Sequence, residues 1–187
     1  MSEIKNNIKK KSKKIGAAIL DNYIRRLADT KKENLEKLIK MMSKFDERIV
    51  LTKLCSFLEH AATIDGLRNA HDAIVSYGVK ALPYLEKLYQ KAGLKFEALE
   101  CIIFALFAIG ARRSSNEKLV ELYKKYKDDE QYNLQVIIDM FELELLSEAV
   151  AASLEFIQKS DEHKIEFISM MLEFFEGHLE VEAWLRK

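Results

Sequence analysis

Ala73-Ile-Val-Ser-Tyr-Gly78, running on into Ala81-Leu-Pro-Tyr-Leu-Glu-Lys-Leu-Tyr89, is answered further along by Ala105-Leu-Phe-Ala-Ile-Gly110 and Leu119-Val-Glu-Leu-Tyr123. The two glycines stand 32 residues apart, and Leu85, Leu88 and Tyr89 stand 34 residues before Leu119, Leu122 and Tyr123. In each copy an apolar run with helical spacing stops at Gly, and a second run starts after a short turn. Periods of roughly 20–50 residues in helical sequence mark solenoids, because one helix pair cannot cover its own apolar face and neighbours must stack. A further step of 35 places Leu119 on Leu154 and Leu122 on Ile157.

Outward from this core the chain keeps a helical period. Its breakers are sparse: Gly66, Gly78, Gly93, Gly110 and Gly177, each expected to supply the left-handed position that ends a helix. Pro83, the only proline, suits the first turn of a new helix, where its missing N–H costs nothing. Asp46, Asp65, Ser114 or Ser115, and Asp161 are the expected N-caps. The pattern predicts helices near 3–29, 32–43, 46–62, 67–77, 80–91, 95–110, 115–127, 130–146, 148–159, 161–176 and 178–186. Such short connections make successive helices pack antiparallel. The expectation is one all-α domain over 1–187, an α-α superhelix of about ten helices, with 1–12 a basic N-terminal segment open to fraying.

At this point the sequence resembles the HEAT-type repeats, especially the short HEAT-like, armadillo-type class. The resemblance rests on A-I-V-S-Y-G-V-K-A-L-P-Y-L-E-K-L (73–88) and E-A-L-E-C-I-I-F-A-L-F-A-I-G (97–110). It covers 67–127 and continues more faintly to 176. In that family a first helix ending in a hydrophobic residue and Gly turns into a second helix opening with Ala-x-Pro. Asp46-Glu-Arg-Ile-Val50 is loosely similar to the family's Asp-x-x-Val-Arg helix start, whereas Lys95-Phe-Glu97 departs from it. The resemblance implies a curved α-solenoid with a binding or scaffolding role, its second helices lining the concave side. It names no partner, because function resides in sites rather than folds.

Charge says more about partners. The chain carries 30 Lys+Arg and 30 Asp+Glu, yet residues 1–32 sum to +7, 33–127 to +4 and 128–187 to −11. Hydrophobic residues at 49% exclude a disordered chain, and two Cys exclude a disulfide scaffold. The six-residue apolar run Ile15 to Leu20 is shorter than a signal peptide needs. Cys101 to Ala111, uncharged, is too short to span a membrane. Together these read as a cytoplasmic protein with reduced Cys55 and Cys101 and no transmembrane segment.

The chemistry-bearing motifs are missing. There is no His-Glu-x-x-His, no Gly-x-x-x-x-Gly-Lys loop, no Gly-x-Ser-x-Gly elbow and no cysteine pairing with zinc-ligand spacing. No catalytic residue, metal or cofactor is assigned. The leading expectation is a non-catalytic module or scaffold for a protein partner. Placed on second helices, Lys80, Lys87, Lys91, Arg112, Arg113, Lys118, Lys124 and Lys125 form a candidate basic patch. It would suit an acidic protein segment or a phosphate backbone, making a nucleic-acid-binding solenoid the first alternative. The plainer reading is solubilising charge, partly paired with Glu86, Glu117 and Glu121. An enzyme like the alkylpurine DNA glycosylases built on HEAT-like repeats is the second alternative, although no residue here matches their catalytic set. Near the other end, Phe167, Met170, Met171, Phe174, Phe175 and Trp184 offer either a thick terminal core or a partner interface, such as a homodimer through the C-terminal helices.

Overall fold

The computed structural model describes residues 15–159 and 162–174. Every regular element among them is helical. Residues 15–26 form α1, followed by α2 (Lys32–Met42), α3 (Glu47–His60), α4 (Ile64–Val75), a 3-10 turn (Gly78–Ala81), α5 (Leu82–Tyr89) and α6 (Phe96–Ala108). Then come α7 (Arg112–Tyr126), α8 (Glu130–Glu142), α9 (Leu146–Ile157) and α10 (Glu162–Phe174). The expected helix at 178–186 lies outside the described residues.

The even-numbered helices begin at Lys32, Ile64, Phe96, Glu130 and Glu162, in steps of 32, 32, 34 and 32. The chain is therefore a regular run of two-helix units, and the repeat starts before the segment where sequence similarity shows it. Helices pack on their neighbours in sequence order. The contacts group the chain, read from sequence as one domain, into two compact units, 1–111 and 112–187.

In the first unit the helices sort into two rows. The row of even helices has α4 packed on both α2 and α6, and in the odd row α3 packs on α5. Contacts of α3 with α4 and of α5 with α6 join the rows. The core between them is aliphatic: Leu38, Met42, Leu51, Leu54, Ile74, Leu85, Ile102 and Leu106 are fully buried. Repeat-equivalent Ala73 and Ala105 are also fully buried, small residues that let even helices approach one another. Asn69 is a buried polar tie. Its Nδ2 donates to the Leu27 and Thr30 carbonyls, both at 2.8 Å, satisfying backbone groups just past the end of α1.

In the second unit α7 packs on α8, α8 on α9 and α9 on α10. Leu119, Leu122, Val136, Ile137, Met140, Ala149 and Phe156 are buried here.

Four local expectations need correction. Gly66 ends nothing. It is buried in the first turn of α4, where a Cβ would stand 2.9 Å from Thr63 Oγ1. The N-cap there is Thr63, accepting from the Gly66 N–H at 3.1 Å, rather than Asp65, which sits in the first turn. Ser114 and Ser115 are inside α7, which starts at Arg112, so neither is a cap. Asp46 does cap α3, accepting from the Arg48 N–H at 3.0 Å, while Asp161 and Gly177 lie outside the described residues. Finally, α9 is in register one residue earlier than expected. Ser153 and Phe156 are buried where Leu119 and Leu122 lie in α7, and Leu154 and Ile157 are half-buried. The apolar pattern favoured Leu and Ile, whereas close packing buries Ala149, Ala152 and Ser153.

Candidate functional site

The odd-numbered helices carry a recurring set of side-chain ties. Lys53 of α3 pairs with Asp21 of α1, 32 residues earlier. Lys80 meets Glu47 at 2.6 Å and Lys91 meets Glu59 at 2.6 Å, with separations of 33 and 32 residues. In the second unit Arg112 Nη1 lies 3.4 Å from Glu144, and the Tyr123 hydroxyl donates to Glu155 at 3.0 Å, both across 32 residues. Each tie joins one odd-helix segment to the next, at the period of the repeat. Such residues sit at matching heights on adjacent helices, so a long side chain reaches its neighbour directly.

One of these ties, Lys91 with Glu59, closes an end of a groove between α3 and α5. Its volume is about 510 Å³, and it is lined by Thr52, Cys55, Ser56 and Glu59 of α3 with Pro83, Tyr84, Lys87 and Leu88 of α5 and Lys91 just beyond it. The α3 stretch from Thr52 to Glu59 is two turns, giving a length of about 10 Å. The floor is apolar: Leu88 and Cys55 are buried, and Pro83 and Tyr84 form part of the wall. Burial pushes the Cys55 thiol up to about 12, so the floor carries no charge at neutral pH. At one end the Lys91 ammonium hydrogen-bonds Glu59 and holds its carboxyl below the usual range. Lys87 stands exposed on the rim in the last turn of α5, with no carboxylate partner among the described residues. A smaller depression of about 160 Å³ lies among Glu59, Ala61, Thr63, Ile64, Leu67, Lys95 and Glu97.

The eight cations expected to form one patch are divided between the units. Lys80, Lys87 and Lys91 belong to the first, and Arg112, Arg113, Lys118, Lys124 and Lys125 to the second. Most have local work. Arg113 pairs with Glu117 at 2.9 Å, Lys118 donates to Ser114 at 3.0 Å, and Lys125 lies 5.0 Å from the Tyr126 ring centre. Lys124 and Lys125 also occupy the last turn of α7, where cations complement the helix terminus. Glu117, one of the carboxylates expected to pair, does so with Arg113. The partners missed are Glu47, Glu59 and Glu144, far away in sequence but one repeat away in space. Thr52, Cys55, Ser56 and Tyr84 were also missed as lining residues. The 32-residue spacing of Glu59 and Lys91 was the signal that could have found them.

On α10, Met170 is exposed while Phe167 and Met171 are half-buried, and Ile168 and Leu172 form the buried stripe. The Phe174 side chain, Phe175 and Trp184 lie outside the described residues. Among the described residues no His, Cys, Asp and Glu cluster with metal-site geometry occurs, and no helix is long and apolar enough to cross a membrane.

No family model, curated protein or solved structure matches the chain.

Proposed function

We propose that the chain is a non-catalytic helical-repeat module of the HEAT-like type, and that its odd-helix row binds a protein partner. The observation that carries this reading is the α3–α5 groove, an uncharged floor about 10 Å long with the Glu59–Lys91 pair at one end and Lys87 on its rim. Its 510 Å³ is within the usual range of ligand pockets, about 300–1,000 Å³. Apolar pockets of this kind take side-chain anchors, and such anchors supply most of the energy in peptide recognition.

The same site argues against a phosphate backbone as the ligand. Nucleic-acid grooves present several uncommitted cations. Here Lys80 and Lys91 are held by Glu47 and Glu59, whose carboxylates would repel phosphate.

Selection of a displayed random-peptide library on the full chain tests the reading. Enrichment of peptides whose binding is lost when Ser56→Trp fills the groove is the expected result. The reading is overturned if no peptide enriches while single-stranded oligonucleotides bind with affinity falling steeply between 50 and about 200 mM salt.

A further inference from the structure

Resting on that reading, we infer that the α3–α5 groove recognises an acidic-apolar anchor, a peptide segment in which Glu or Asp flanks one or two large apolar side chains. The argument is complementarity. Two turns of helix bound the groove, so it accommodates one or two side chains rather than a long helix face. The floor of Leu88 and Cys55, with the Tyr84 ring in the wall, is chemically suited to an aliphatic or aromatic group. Of the three lysines around this site, Lys80 and Lys91 already have carboxylates at 2.6 Å. Lys87 alone of the three has none among the described residues, and it stands on the rim beside the apolar floor. A ligand carboxylate there gains a partner without displacing an existing one. The Glu59 carboxylate, about one turn further along the groove, is already held by Lys91, so Lys87 is the place where a ligand acid finds an uncommitted cation.

Fluorescence anisotropy with the full chain tests this. The probes are three fluorescein-labelled eight-residue peptides in which Glu, Gln or Lys precedes a Leu-Phe pair. The Glu peptide should bind best, and Gln should weaken it about fivefold, the upper end for an exposed ion pair. The Lys peptide should bind weakest. Lys87→Glu should reverse the order of the Glu and Lys peptides, and Ser56→Trp should abolish binding of all three. Both substitutions are at exposed positions, and an unchanged thermal transition confirms that they leave the fold intact. Equal binding of the Glu and Lys peptides, or an order unmoved by Lys87→Glu, overturns the inference. If none of the three binds while the library still yields groove-dependent peptides of other composition, the acidic-apolar anchor is wrong and the binding-module reading stands.

Discussion

Glu144 sits at φ 61°, in the left-handed region where the preceding repeat has Gly110 at φ 93°. Both positions close the same motif. After α6 the Ala111 N–H reaches the Leu106 carbonyl at 2.9 Å and the Gly110 N–H reaches Phe107 at 2.9 Å. After α8 the Leu145 N–H reaches Met140 at 2.8 Å and the Glu144 N–H reaches Phe141 at 3.1 Å. This is the Schellman arrangement, which favours Gly at its left-handed position. A side chain there costs about 1 kcal/mol, and the exposed Arg112 contact at 3.4 Å recovers little of it. Glu144→Gly should therefore raise stability by about 1 kcal/mol, and Gly110→Ala should lower it by a similar amount. Urea denaturation checks both, and a destabilised Glu144→Gly would show that the Arg112 contact outweighs backbone strain. Gly78 and Gly110 were legible as turns because Gly announces itself. Glu144 was not, because nothing about Glu signals positive φ. A second residue-scale prediction concerns alkaline pH. Burial raises the Cys55 thiol from 9.0 to about 12. Burial first, then its hydrogen bond to Glu155, raises Tyr123 from 10.0 to about 12. Both groups ionise more readily when unfolded, so the stability they contribute is intact below pH 9 and drains away between pH 9 and 12. The Cys55 share falls by up to about 1.4 kcal/mol per pH unit. Chemical denaturation at stepped pH should show this loss, and Cys55→Ala should flatten it first between pH 9 and 10.

Helix boundaries were largely readable because apolar stripes and breakers are local signals. Observed α2, α3, α6, α8 and α10 begin within one residue of expectation. Contacts between helices one repeat apart were not readable that way. The lysines expected to pair within their own helix reach across to Glu47 and Glu59. Sequence distance hides such pairs unless the period is already known, and the period is irregular enough, 32 against 34, to blur the register of α9. Energetically these ties are minor. Lys91 and Lys80 are half-exposed or more, and exposed ion pairs are worth about 0.2–1 kcal/mol. A double-mutant cycle on Lys91 and Glu59 should give a coupling below about 1 kcal/mol. Leu54→Ala, which empties a fully buried position of the same helix α3, should cost about 3 kcal/mol. A coupling of several kcal/mol would mean that the ion pairs, rather than the aliphatic core, hold the odd row together.

At the scale of the whole chain the zero net charge resolves into two equal and opposite parts. Residues 1–111 hold 20 basic and 13 acidic groups, and 112–187 hold 10 and 17, so the compact units carry +7 and −7. The three-part cut by sequence alone had spread the positive charge over two segments, because the boundary near Ala111 lacks the Pro- or Ser-rich linker that normally marks one. That boundary has a consequence for stability. In a repeat array each unit's stability is roughly a sum of its own terms and those of its nearest neighbours, so damage stays local. Leu54→Ala removes packing in the first unit only. Amide hydrogen exchange on the full chain should then lose about a hundredfold protection in α3 and α4, the equivalent of about 3 kcal/mol. Protection in α8 and α9 should change by less than about threefold. An equal loss in both units would show that the chain unfolds as one cooperative body, and that its division by contacts is not a division in energy.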